Sequence, residues 1–201
     1  MRSTSVTLLS FLVLTFCCVA VAAQERDAPA KDQAKSPADL QSLIKAFSGK
    51  WSLQVKFEPS SDMPKGFEGS GEETWRPGPG GYTLLEEERL PFPKGNGYLL
   101  GIIWWDETAK SIHGMECNNQ LPYTCDLKGA LNDIAISWDG KQFVINEQET
   151  HGNKKWLWHE VWSDISETSF TQTGDVQGTD GHSTRVMTIH GTKSSERAGT
   201  P

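Results

Sequence analysis

Between Trp51 and Glu58 apolar and polar residues alternate without a break. Trp51, Leu53, Val55 and Phe57 fall on one side, and Ser52, Gln54, Lys56 and Glu58 on the other. A period of two marks a strand with one buried face. Further short runs of strand-forming residues predict strands near 71–76, 82–90, 98–105, 111–117, 124–130, 134–138, 142–151, 155–163, 169–176 and 184–190. Turn chemistry separates them: Gly78 to Gly81 with Pro77 and Pro79, then Lys94-Gly95-Asn96-Gly97, Asp139-Gly140, Gly152-Asn153 and Asp180-Gly181. Ahead of the strands, Leu40, Leu43, Ile44 and Phe47 recur at helical spacing, with Ser36 placed as N-cap, Pro37 in the first turn and Gly49 past the end. The pattern predicts an all-β fold: an antiparallel up-and-down β-barrel of about ten strands with a short N-terminal helix. Closure into a barrel leaves no strand edge exposed.

Two turns are tight enough to predict register. A two-residue loop at Asp139-Gly140 pairs Trp138 with Lys141, Ile136 with Phe143 and Ile134 with Ile145. A two-residue loop at Gly152-Asn153 pairs His151 with Lys154, Glu149 with Trp156, Glu147 with Trp158, Ile145 with Glu160 and Phe143 with Trp162. Both hairpins then put Ile134, Ile136, Phe143, Ile145, Trp156, Trp158 and Trp162 on one face. That face should point inward, because a slip of one residue would turn the tryptophans to water.

The N-terminus reads as an export signal. Arg2 supplies the positive start, Val6 to Val21 the apolar stretch, and Ala22 and Ala23 the small residues at which a peptidase cuts. The stretch is shorter than the ~20 residues a membrane-crossing helix needs. The expected organisation is a signal over 1–23, a disordered linker over 24–37, the barrel over 38–193 and a flexible tail over 194–201. The location is then exported, periplasmic or secreted, with no membrane span after signal removal. The chain carries a net charge of −7, and loss of Arg2 makes it one unit more negative, which disfavours nucleic acid as a partner. Cys17 and Cys18 leave with the signal. Cys117 and Cys125 remain, and an even pair in an oxidising compartment predicts a disulfide.

Gly49-Lys50-Trp51 opening the first strand after a short helix resembles the entry motif of the calycin superfamily, which includes lipocalins and fatty-acid-binding proteins. In the second half, Asp164 to Phe170, Asp180-Gly181 and Arg185 to Lys193 are similar to a family of exported bacterial calycin-like domains known only as a domain of unknown function. The resemblance implies a calycin-like barrel over roughly Leu40 to Lys193. It implies no particular activity, since one barrel serves many functions.

Motifs for catalysis are absent: there is no G-x-S-x-G elbow, P-loop, G-x-G-x-x-G after a strand or H-E-x-x-H. The histidines show no ligand spacing, so neither a metal nor an organic cofactor is expected. His190, opposite Met187 and Ile189 in a strand, is badly placed as an inward haem ligand. Glu86 and Glu88 alternate with Leu84 and Leu90. They read as a solvated patch near a strand end, or, in the alternative, with Glu86 at a cavity wall. Glu147 and Glu160 fall among the inward tryptophans, where a carboxylate is costly unless paired. Arg185, sharing a face with Met187 and Ile189, could neutralise Glu160 or stack on Trp51.

The expected ligand-binding set is therefore Trp156, Trp158 and Trp162 as walls, with Glu147, Glu160 and Arg185 as anchors for a small hydrophobic or amphiphilic molecule. Two alternatives stand beside it: a cavity enzyme using a buried Glu as general acid or base, and an envelope interaction module using the Trp104/Trp105 surface. The strand carrying those two is apolar on both faces, which reads as a core strand covered by the helix.

Overall fold

The computed structural model describes residues 37–60, 63–119, 134–151, 154–178 and 180–194. The expected signal and most of the linker, Cys125, the strand near 124–130, the Gly152-Asn153 turn and the tail after Ser194 lie outside the described residues. One helix precedes ten strands: α1 (Ala38–Phe47), β1 (Gly49–Phe57), β2 (Phe67–Pro77), β3 (Thr83–Phe92), β4 (Gly95–Asp106), β5 (Ser111–Asn118), β6 (Ile134–Trp138), β7 (Phe143–His151), β8 (Lys154–Ser163), β9 (Ser169–Gln177) and β10 (Ser183–Lys193). All pairings are antiparallel. The sheet order runs β5-β4-β3-β2-β1-β10-β9-β8-β7-β6, so each strand lies beside its sequence neighbour and β1 pairs with β10. This is a nearly closed barrel.

The two outer strands of that order, β5 and β6, meet without a ladder among the described residues. They are nonetheless in close contact. A Cβ added at Gly114 of β5 would stand 2.6 Å from the Ile136 side chain of β6. Among the described residues the β5–β6 join is thus one of side-chain contact without a ladder, a seam in an otherwise hydrogen-bonded wall.

Pro37 is the residue that caps α1, not Ser36. Its extended ψ of 151° and its carbonyl, which accepts from Gln41 N–H at 3.1 Å, place it outside the first turn. Leu40, Leu43, Ile44 and Phe47 are all buried, so the helix closes one end of the barrel with its apolar face. It packs chiefly against β2 and β3. The outer face of β4 is not covered as the sequence suggested: Tyr98 is 53% exposed and Leu100 39%. Gly49 turns the chain from helix into β1 with φ of 139°, a conformation that a side chain resists. Trp51 then lies buried with its indole N–H donating to Phe47 O at 2.8 Å.

The β7–β8 register is as the sequence predicts, from Phe143 opposite Trp162 to His151 opposite Lys154. The β6–β7 register is two residues off: Trp138 pairs with Phe143, Ile136 with Ile145 and Ile134 with Glu147. The loop is longer because the Asp139 carboxylate accepts from the N–H groups of both Lys141 and Gln142, at 2.8 and 2.7 Å. An offset of two keeps every side chain on its predicted face, so the inward set survives the error.

Candidate functional site

Inward positions of the barrel form layers that change character with depth. Beneath α1 lie Phe47, Trp51, Trp75, Phe143, Trp162 and Phe170, all at most 2% exposed. Phe47 makes ring contacts with Trp75, Trp138, Phe143 and Phe170. Two residues along β2, β3, β8 and β9, about 7 Å further along the strand, buried apolar residues give way to polar groups, while on β1 and β7 Trp51 and Phe143 are followed by the buried Leu53 and Ile145. Trp75 is followed by Glu73, Leu84 by Glu86, Trp162 by Glu160 and Phe170 by Gln172. Glu88, two residues beyond Glu86, stands directly opposite Glu73 in the neighbouring strand. Glu73, Glu86, Glu88 and Glu160 are all buried. Glu116 of β5 and Glu147 of β7 are half-buried beside them.

Local geometry makes room for these carboxyls. Glu86 stands opposite Gly101 of β4, and a Cβ there would come within 2.4 Å of Glu86 Oε2. The missing side chain is the space the carboxyl occupies. Past Gly101 the same row continues to Glu116. Here, beside the β5–β6 seam, lies a cavity of about 10 Å³ lined by Glu86, Glu116, Ile103, Met115, Ile136 and Ile145, with Gly101 and Gly114. It has room for about one water.

Among the described residues, no Lys or Arg reaches Glu73, Glu86, Glu88 or Glu160 within ion-pair distance. Their outward neighbours on the same strands behave differently: Glu72 pairs with Arg89 at 2.8 Å and Glu87 with Arg76 at 2.9 Å. Several buried polar atoms have no hydrogen-bond partner: both Glu73 carboxylate oxygens, the indole nitrogens of Trp75 and Trp162, and Gln172 Oε1.

Burial is the first cause of every pKa shift in the cluster, because it penalises the charged form. It pushes Glu73 up to about 7, against the downward pull of the nearby Glu86 carboxyl and Trp75 indole, neither of which reaches hydrogen-bond geometry with it. Glu160 is also pushed up to about 7 by burial, opposed by Trp158 and Gln172 and assisted by the charges of Glu147 and Glu73. Glu86 rises well above the ordinary carboxyl range through burial, then the charge and contact of Glu73, with Glu116 and Glu88 adding to it. Glu88 rises likewise through burial, then Glu73, Glu160 and Glu116. At neutral pH this interior holds protons that an exposed carboxylate would have lost. Among the described residues, no three His, Cys, Asp or Glu side chains are placed to hold a metal ion.

The predicted site residues fall in three places. Trp162 and Glu160 are in the core, Trp158 and Glu147 are half-buried beside it, and Trp156 is 41% exposed near the end of β8. Trp156 keeps the predicted parity but sits past the enclosed part of the barrel. Arg185 corrects the sequence reading. It is on the outside, with its guanidinium on Asp175 (Nε to Oδ1 2.6 Å), and reaches neither Glu160 nor Trp51. A bulge between Arg185 and Met187 breaks the alternation that the reading assumed. The cation over Trp51 is instead Lys193, with Nζ 5.1 Å from the ring centroid.

The solvated-patch reading of Glu86 and Glu88 is likewise overturned, since both share the buried face of Leu84 and Leu90. Glu73 was missed, although its alternation with Trp75 in Gly71 to Arg76 is a visible signal. His190 is exposed, on the face opposite Met187 and Ile189. Trp104 and Trp105 are both half-buried; Trp104 stacks on His113, and Trp105 donates to Glu107 Oε2 at 2.9 Å.

No protein-family model matches the chain, and no curated protein matches it. Among solved structures it is similar to Rv2717c from M. tuberculosis, with a TM-score of 0.49 and 9% sequence identity, over 80% of this chain and 99% of that one. The barrel assignment rests on the strand pairing and takes nothing from that likeness.

Proposed function

We propose that this protein is an exported, calycin-like binding module that takes a small, partly apolar molecule into the barrel interior. Trp158 and Trp162 supply the wall, and Glu160 and Glu147 the polar anchors. One observation carries the reading: fully buried polar atoms of Glu73, Trp75, Trp162 and Gln172 stand without partners inside an aromatic enclosure. Each such atom costs about 1–3 kcal/mol. A core built only for stability would replace or pair them, whereas a ligand with matching donors and acceptors recovers that cost on binding.

The space beside Glu86 holds about one water, so a larger ligand enters only if side chains move or strands part. The β5–β6 seam is where parting breaks no ladder among the described residues. The Cys117–Cys125 disulfide, which we include in the proposal, would tether the chain that leaves β5 there. Export rests on Arg2, the Val6 to Val21 stretch and Ala22-Ala23.

Native mass spectrometry of the protein purified after expression with its own leader tests both parts. The expected result is a chain cut after Ala22 or Ala23 that carries a co-purified molecule released on unfolding. A bare barrel, with no saturable change in tryptophan fluorescence across a panel of small amphiphiles, removes the binding reading. An uncut leader removes export.

A further inference from the structure

The interior acids and their unpartnered neighbours narrow the class of ligand. Once ionised, the four buried carboxyls join Gln172 Oε1 as acceptors, with no base near them among the described residues. The donors in the same space are indole N–H groups, and those of Trp75 and Trp162 are themselves unpartnered. An anionic ligand would add charge to an acidic interior. A neutral apolar ligand would leave every one of these atoms unanswered.

We propose, on the reading that the interior is the binding site, that its ligand is an organic cation: an amine on an apolar stem, with its nitrogen against Glu86 and within the field of Glu73, Glu88 and Glu160. Such a group supplies both the missing charge and the missing donors, and the indole faces of the aromatic layer attract cations. The entrance is the β5–β6 seam. The one-water cavity beside it is lined by Ile103, Met115, Ile136 and Ile145 together with the acids Glu86 and Glu116, so apolar walls and carboxyls meet there. No three ligating groups are placed for a metal ion among the described residues, which favours a charge carried on an organic stem over a bare ion.

Cation binding favours the ionised acids, so it must release protons and tighten as pH rises. The acids that act on Glu86 are Glu73 of β2, Glu116 of β5 and Glu88 of β3; Glu160 of β8 acts on Glu88, and Glu147 of β7 on Glu160. The buried inward residues of β1, β4, β10 and α1 are uncharged, and β9 contributes Gln172.

The test uses the full exported protein in 150 mM salt, which screens the general attraction of an acidic surface. Binding of hexylammonium, hexanol and hexanoate is followed by tryptophan fluorescence. Hexylammonium is expected to bind at least tenfold more tightly than hexanol, to tighten several-fold between pH 6 and pH 8, and to release protons in calorimetry run in two buffers. Glu86→Gln and Glu160→Gln should each lower that preference at least threefold. Circular dichroism checks that both variants fold. If hexanol binds as tightly as hexylammonium, the cation inference is overturned and the interior site stands. If none of the three binds saturably, both readings fall.

Discussion

Under α1 the barrel is filled by rings. Phe47 lies 5.2 Å from Trp75, 5.6 Å from Phe143 and 6.0 Å from Phe170, and Phe143 lies 4.9 Å from Trp162. Two residues further along β2 and β8, and on β3 beside them, Glu73, Glu160, Glu86 and Glu88 are also buried, each at most 9% exposed. The first layer gains free energy from every contact. The second loses it, because acids opposite one another, with no base in reach among the described residues, are held in a low-dielectric space. Two layers of one core with opposite signs show that stability alone does not account for this interior. The aromatic layer holds the barrel together, and the acidic layer draws on that stability.

The largest effect should come from weakening the first layer. Phe47→Ala removes a ring that joins the helix to four strand aromatics, and a loss of about 3–5 kcal/mol in denaturant unfolding is expected. A loss below 1 kcal/mol would mean that α1 is not a working part of the core.

The next effect belongs to the acidic layer and reads through pH. Glu73 and Glu160 have folded pKa values raised to about 7, above the unfolded range. The folded state therefore holds more protons than the unfolded state between these limits. Their favourable contribution is full below the unfolded pKa, is lost as pH rises through about 7, and stays lost above it. The unfolding free energy should fall between pH 5 and pH 8 by a few kcal/mol in all, and the unfolding midpoint with it. A midpoint that rises over this window would contradict the burial of these acids.

A smaller effect sharpens the contrast. Glu73→Gln removes the charge and keeps the shape. It should stabilise the protein by about 1–3 kcal/mol at pH 8 and by much less at pH 5, where wild-type Glu73 is already neutral. Equal effects at both pH values would show that packing, not charge, governs the position.

Alternation did most of the work that the sequence could do. Because parity survives an offset of two, the Asp139 loop could be misjudged while Phe143, Ile145, Glu160 and Trp162 were still placed inside. Arg185 shows where the method fails: one extra residue at the bulge reversed the face, and nothing in Thr184-Arg185-Val186-Met187 announces a bulge. Glu86 and Glu88 show another limit. A run of three glutamates looks like a solvated strand, and only closure of the barrel around Leu84 and Leu90 puts alternate members inside.

The order of strands, the helix at their head and the faces of β1, β7 and β8 follow from residue periodicity and turn chemistry, which act over a few neighbours. The gathering of acids from β2, β3 and β8 into one enclosure, the pairing of Arg185 with Asp175, and the unladdered meeting of β5 with β6 depend on how distant strands curve round to face each other. No local rule carries that information, because the cost of burying a charge is set by what lies across the barrel and not by what lies beside it in the chain.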